Sequence, residues 1–73
     1  MKPYIINVKG VKPYTRTVAH ELNEHAVADF GENEIITVFA SSLEPLVQLM
    51  EYIERGMVTM FAVNTRLSEE VDR

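Results

Sequence analysis

The residues best suited to chemistry lie in one short string, His20-Glu21-Leu22-Asn23-Glu24-His25. Zinc proteases place two histidines at i and i+4 on one helix, with a glutamate beside the first. Here the second histidine comes five residues after the first, so in a helix its ring would point about 140° away. His20 and Glu24 would still share a helix face and bind a metal weakly. The string therefore favours exposed polar side chains over a metal centre.

Other catalytic patterns are missing from the sequence. No nucleophile turn of the kind that holds a catalytic serine is present, and three scattered glycines cannot form a phosphate-binding loop. Glu51 and Glu54 share a helix face, but paired carboxylates act as acid and base only when one is desolvated. They lie opposite an apolar stripe, so we expect both to be exposed. We therefore predict no enzymatic activity, no cofactor and no metal.

Length and composition predict one small domain. The chain has 73 residues, of which 47% are hydrophobic and 25% charged, as in ordinary globular proteins. The absence of cysteine favours a reducing compartment, because small secreted domains usually need disulfides. No apolar run approaches the roughly 18 residues of a membrane span, and the N-terminus lacks a leader pattern. We expect a cytoplasmic domain over residues 1–66 and a flexible polar tail over residues 67–73.

The clearest predicted element is a helix at about residues 42–55. Ser41 and Glu44 fit a capping box, Pro45 suits the first turn, and Gly56 can adopt the left-handed conformation of a C-terminal cap. Apolar residues spaced by three and four predict the stripe that packs on the rest of the domain: Leu43, Leu46, Val47, Met50 and Ile53.

Three segments read as strands, because β-branched and aromatic residues dominate them: residues 4–9, 34–40 and 57–63. The latter two flank the helix and form a strand-helix-strand unit. Their nearly continuous apolar runs predict central positions in the sheet. Tyr4–Lys9 is predicted to be an edge strand, followed by a turn at Gly10–Pro13. The fold class is α+β: a small sheet of three or four strands with one well-defined helix packed on it.

The stretch Val18–Phe30 allows two interpretations. As a helix, Val18, Leu22, Ala26 and Phe30 align at steps of four. As strands, residues 14–20 alternate, and Ala26–Phe30 would form half of a hairpin with Glu34–Ala40 around a Gly31-Glu32-Asn33 turn. The helical interpretation is slightly favoured.

Charge is distributed unevenly along the chain. Residues 1–16 hold four basic residues and no acid, whereas residues 17–54 hold eight acids and no lysine or arginine. A basic end on an acidic body can orient a charged partner. With Tyr4 and Tyr14 interleaved, the basic segment could also contact nucleic acid, although the acidic body would repel a polyanion. The carboxylates could equally occupy a basic groove of a nucleic-acid-processing enzyme, or serve only solubility.

The sequence also resembles a family, the small phage-encoded regulators that bind host bacterial RNA polymerase. The likeness lies in the size, the start M-K-P-Y-I-I-N-V-K-G, and the segment S-S-L-E-P-L-V-Q-L-M-E-Y-I-E-R-G between two strands. The resemblance implies an inhibitor that docks on the large polymerase subunits and disturbs promoter engagement. It transfers no functional residue.

The residues themselves suggest where a partner would be contacted. The basic N-terminal segment is the predicted contact, through Lys9, Val11, Lys12, Tyr14 and Arg16. We expect a monomer that binds polymerase, with no membrane association and no direct nucleic-acid contact. The alternative is a small nucleic-acid-binding regulator that uses the same basic segment.

Overall fold

The computed structural model describes residues 2–23 and 25–65. These residues form four strands and two helices, in the order β1 (Tyr4–Val11), α1 (Tyr14–Leu22), β2 (Val27–Phe30), β3 (Asn33–Ala40), α2 (Pro45–Glu54) and β4 (Val58–Thr65). Neither helix in this part of the chain is long and apolar enough to cross a membrane.

The four strands make one antiparallel sheet in the order β2-β3-β1-β4. Because β1 is antiparallel to both β3 and β4, the latter two run in the same direction with β1 between them. This is the split β-α-β arrangement. The α+β class is confirmed, and the sheet predicted to have three or four strands has four, with a second helix beside the one predicted.

The core lies on one face of the sheet. Alternate residues of β1 and β3 are buried, as the period of two in a strand requires. Residues from both helices join them, so both helices cover this face. The buried apolar residues are Ile6, Val8, Val18, Ala19, Ile36, Val38, Ala40, Leu49, Tyr52 and Val58.

Two predicted strand positions are wrong. β1 is not an edge, because it pairs along nearly its whole length with β3 and β4. β4 is an edge although five of its eight residues are apolar, and Val58 is its only buried residue. Apolar content alone cannot distinguish these positions, since the apolar residues of an edge strand can cover the margin of the core. The predicted turn also starts later, because β1 continues to Val11 and the turn is at Lys12 and Pro13.

Both interpretations of residues 18–30 are partly correct. Helix α1 occupies the first part and ends at Asn23, whose φ of 63° is left-handed. The second part is the hairpin of β2 and β3, in which Phe30 pairs with Asn33 around a two-residue turn. Gly31 has a φ of 65°, which a glycine adopts without steric cost.

Helix α2 matches the predicted helix, with one correction at its start. Pro45 lies in the first turn, and Gly56 has a left-handed φ of 79°, as predicted. The capping box of Ser41 and Glu44 is not formed. Instead the Glu44 amide donates to the Ser42 hydroxyl at 3.4 Å. The helix thus begins after a turn closed by the Ser42 hydroxyl, and not after the two reciprocal hydrogen bonds of a capping box.

The orientation of α2 differs from the predicted stripe. Leu49 is fully buried and Tyr52 nearly so, whereas Val47 and Met50 are 64% and 61% exposed. Apolar residues cover more than half of the helix circumference at about 100° per residue, so several faces were available. The Tyr52 hydroxyl donates to Glu21 of α1 at 3.3 Å. This contact lies on the side of α2 that faces α1. Most of the predicted stripe turns towards solvent, although Leu46 packs against the core.

Candidate binding surfaces

The predicted contact segment does not form one surface. Lys9 and Val11 lie on the face of the sheet opposite the helices, Lys12 lies in the turn, and Tyr14 and Arg16 begin α1. Tyr14 is about half exposed. The fold therefore separates residues that the sequence groups together.

Two of the three cations in this segment are held by carboxylates. The Lys12 ammonium lies 3.5 Å from Asp29 on β2. The Arg16 Nε donates to Glu34 on β3 at 3.1 Å. Reversing Lys9, Lys12 and Arg16 together would therefore also disturb the fold, because two of the reversals would place like charges beside these acids. Of the three cations, Lys9 is the one whose substitution would test partner binding without breaking one of these ion pairs.

Glu34 is a buried carboxylate with a structural role. Its side chain is 2% exposed, and its Oε1 atom has no hydrogen-bond partner, so Arg16 supplies its principal compensation. A buried charge is costly when it loses its partner. The pair explains why an acid tolerates a helix-facing position on β3.

Arg16→Ala is expected to lower the free energy of unfolding by about 1–3 kcal/mol, since it leaves a buried charge uncompensated. The exposed position of the Arg16 side chain limits the loss. Urea titration would measure it. Lys12→Ala, which breaks the exposed pair, is the matched control and should cost under about 1 kcal/mol. Equal losses for Arg16→Ala and Lys12→Ala would contradict the role of Arg16 in compensating the buried Glu34 carboxylate. The double variant Arg16→Met/Glu34→Leu, which removes both charges, should recover most of the stability.

The side of the sheet that neither α1 nor α2 covers, hereafter the open face, is mainly apolar and carries one charge in the described residues. The strand register assigns to it the residues of odd position in β1 and β3 and their neighbours on the edge strands. They are Ile5, Asn7, Lys9, Val11, Ala28, Phe30, Asn33, Ile35, Thr37, Phe39, Met60, Ala62 and Asn64. Among these residues Lys9 carries the single charge.

A shallow depression of about 150 Å³ lies on the open face. It is lined by Asn7, Lys9, Ile35, Met60, Phe61 and Ala62. The Thr37 hydroxyl donates to the Asn7 side-chain oxygen at 3.0 Å, which occupies that acceptor. Most of the lining is apolar, and Lys9 brings a cation to it. We call this feature the open-face depression.

The solvent side of α2 forms a second apolar surface. Leu43, Val47 and Met50 are exposed there, and Glu51 and Glu54 are exposed as expected from the sequence. Arg55 at the end of the helix lies over the Tyr52 ring, 5.9 Å from its centroid. Burial raises the pKa of the Tyr52 hydroxyl and the Glu21 carboxylate raises it further, so Tyr52 remains a donor. This side combines apolar side chains with negative charge.

The two histidines of the string from His20 to His25 lie on different parts of the fold. His20 lies on α1, His25 follows the left-handed Asn23, and Glu24 is outside the described residues. Within residues 2–23 and 25–65 no three potential metal ligands converge. A cleft of about 350 Å³ lies between the end of α1 and the start of α2, and its ionisable lining residues are Lys2 and Glu44.

Comparison with known proteins adds no assignment. The sequence matches no protein-family model and no curated protein, and the fold matches no solved structure. The surfaces described above and the sequence resemblance are therefore the basis for a functional proposal.

Proposed function

We propose that this chain is a binding protein that regulates transcription by docking on the large subunits of bacterial RNA polymerase, without catalysis. The observation that carries the proposal is the open face: a mainly apolar sheet surface that neither α1 nor α2 covers, with one charge among its described residues. Contiguous exposed apolar surface is characteristic of protein interaction sites. The polymerase as partner comes from the resemblance to phage-encoded regulators, which also places the protein in the host cytoplasm.

The predicted contact residues support this proposal unequally. Lys9 and Val11 lie on the open face, and Lys12, Tyr14 and Arg16 follow directly along the chain. Lys12 and Arg16 are engaged by carboxylates, which leaves them less able to bind phosphates. The nucleic-acid alternative is further weakened by the exposed carboxylates of α2, because they repel a polyanion.

Purified bacterial core RNA polymerase is expected to bind the protein with a Kd of about 1 µM or lower, as interfaces of ordinary size allow. Promoter-dependent RNA synthesis should fall as the protein is added. Biolayer interferometry and run-off transcription would measure the two effects. A shuffled-sequence protein of equal composition would bind weakly at most.

The rival function has a separate signature. Binding to DNA or RNA in a gel shift at low salt, with affinity that falls steeply as salt rises, would favour a nucleic-acid-binding regulator. Absence of polymerase binding at low salt would refute the proposal. Retained binding together with unchanged transcription would refute the inhibitory role alone.

A further inference from the structure

The open-face depression has the size and lining of a site for one apolar side chain. A dry apolar cavity of about 150 Å³ accommodates a benzene-sized group, and the depression has a similar volume. Ile35, Met60 and Ala62 supply apolar lining. The side-chain oxygen of Asn7 already accepts the Thr37 hydroxyl. The lining therefore offers a ligand one charged group, the Lys9 ammonium, beside the amide N–H donors of Asn7.

Lys9 lacks a counter-charge within the described part of the chain. The ion pairs of the basic segment involve Lys12 and Arg16, and Lys9 takes part in neither. Its side chain is half-buried, so its stem lies along apolar surface while the charge reaches solvent. Hydrogen bonds between an ammonium and a carboxylate are shorter and stronger than neutral ones. The site therefore suits an anion next to an apolar group.

The composition of the open face discriminates between occupants. A second copy docked face to face would offer no carboxylate to Lys9, because the open face contains none. A nucleic acid would need several cations and a central stacking platform, but the central pair is Asn7 and Thr37, bonded to each other. A protein segment with an apolar side chain next to one acidic residue matches both the apolar lining of the depression and the charge of Lys9.

We propose, on the basis of the protein-binding function above, that the open-face depression receives one apolar side chain of the partner protein. An adjacent Asp or Glu of that partner places its carboxylate on the Lys9 ammonium. The remainder of the partner segment lies across the other residues of the open face, which are uncharged.

The recognition chemistry can be tested without polymerase. The isotope-labelled protein would be titrated with acetyl-Leu-Glu-amide and with acetyl-Leu-Gln-amide, and followed by NMR. We expect shifts confined to the surroundings of Asn7, Lys9, Ile35 and Met60, with the glutamate peptide binding several-fold more tightly. Lys9→Met should abolish the difference between the two peptides, and Lys9→Arg should retain it.

Binding to core polymerase tests the same site in the proposed partner. Lys9→Met and Ala62→Leu should each weaken binding about tenfold, since one removes the charge and the other fills the depression. Lys9→Arg should bind nearly as the wild type. Thr17→Leu, at an exposed position of α1 on the other side of the sheet, is the matched control and should have no effect. Circular dichroism would verify that each variant is folded.

The outcomes separate the two proposals. If polymerase binds but Lys9→Met and Ala62→Leu bind as the wild type, the inference is overturned and the proposed function stands. If the glutamate peptide is preferred but polymerase does not bind, the proposed function fails and the recognition chemistry of the depression holds. Equal or absent binding of the two peptides overturns the inference, as does a change in sedimentation of the protein alone caused by Lys9→Met, which would indicate self-association.

Discussion

Leu49→Ala is expected to lower the free energy of unfolding by about 2–5 kcal/mol, the range for removing a large buried aliphatic side chain. Leu49 is fully buried in the core. The substitution removes apolar area from the core and leaves a cavity that the surrounding sheet can fill only partly. A domain of this size has a total stability of roughly 4–11 kcal/mol. The expected loss is therefore a large fraction of the total stability, and it should lower the urea midpoint of the variant strongly.

Val47→Ala is the matched control for this prediction, because it shortens an apolar side chain on the same helix but on the solvent side. Its effect should stay within about 0.5 kcal/mol. Urea unfolding followed by far-ultraviolet circular dichroism would measure both variants. If Val47→Ala were the more damaging change, α2 would pack through the stripe predicted from the sequence, and the orientation described above would be wrong.

Gly10→Ala is expected to destabilise the fold by about 1–3 kcal/mol, the range for overpacking a well-packed interior. A Cβ atom at position 10 would lie 2.9 Å from the Met57 carbonyl oxygen and 2.8 Å from the Thr15 hydroxyl oxygen. The first contact is with backbone, and the Val11 amide donates to that same oxygen at 3.0 Å. Relief therefore requires the start of β4 to move away from β1.

A double-mutant cycle isolates the cause. Gly10→Ala/Thr15→Ala should be less destabilising than the sum of the single variants, because Thr15→Ala removes one of the two close contacts. Gly31→Asn serves as a control, since Gly31 has open space around it and asparagine tolerates a left-handed φ. Thermal and urea unfolding would give the values. Simple additivity, or a larger loss at Gly31, would contradict steric crowding at Gly10.

The binding proposal and these stability predictions concern different faces of the sheet. Leu49 and Gly10 belong to the helix-covered face, whereas Lys9 and the depression belong to the open face. Variants at Lys9 should therefore change affinity without a comparable loss of stability. This separation makes a binding defect at Lys9 interpretable.

Local chemistry fixed the elements of this protein. β-branched and aromatic residues specified Glu34–Ala40 as strand, and Pro45 and Gly56 delimited α2, as the structure confirms. The turn at Gly31 and the exposure of Glu51 and Glu54 were likewise predictable. Such features depend on the φ preference, branching or charge of a few consecutive residues, which a sequence displays directly.

Tertiary structure alone decided the order of the strands, the rotation of α2 and the partners of the cations. β1 is the central strand because it pairs with both β3 and β4, which are distant from it in sequence. The residues of β1 do not indicate that it has a neighbouring strand on each side. The broad apolar arc of α2 left Leu49 and Val47 equally eligible for the core until the sheet and α1 were in place. Arg16 meets Glu34, and Lys9 meets no acid in the described residues, because strand register and pleat determine which side chains share a face.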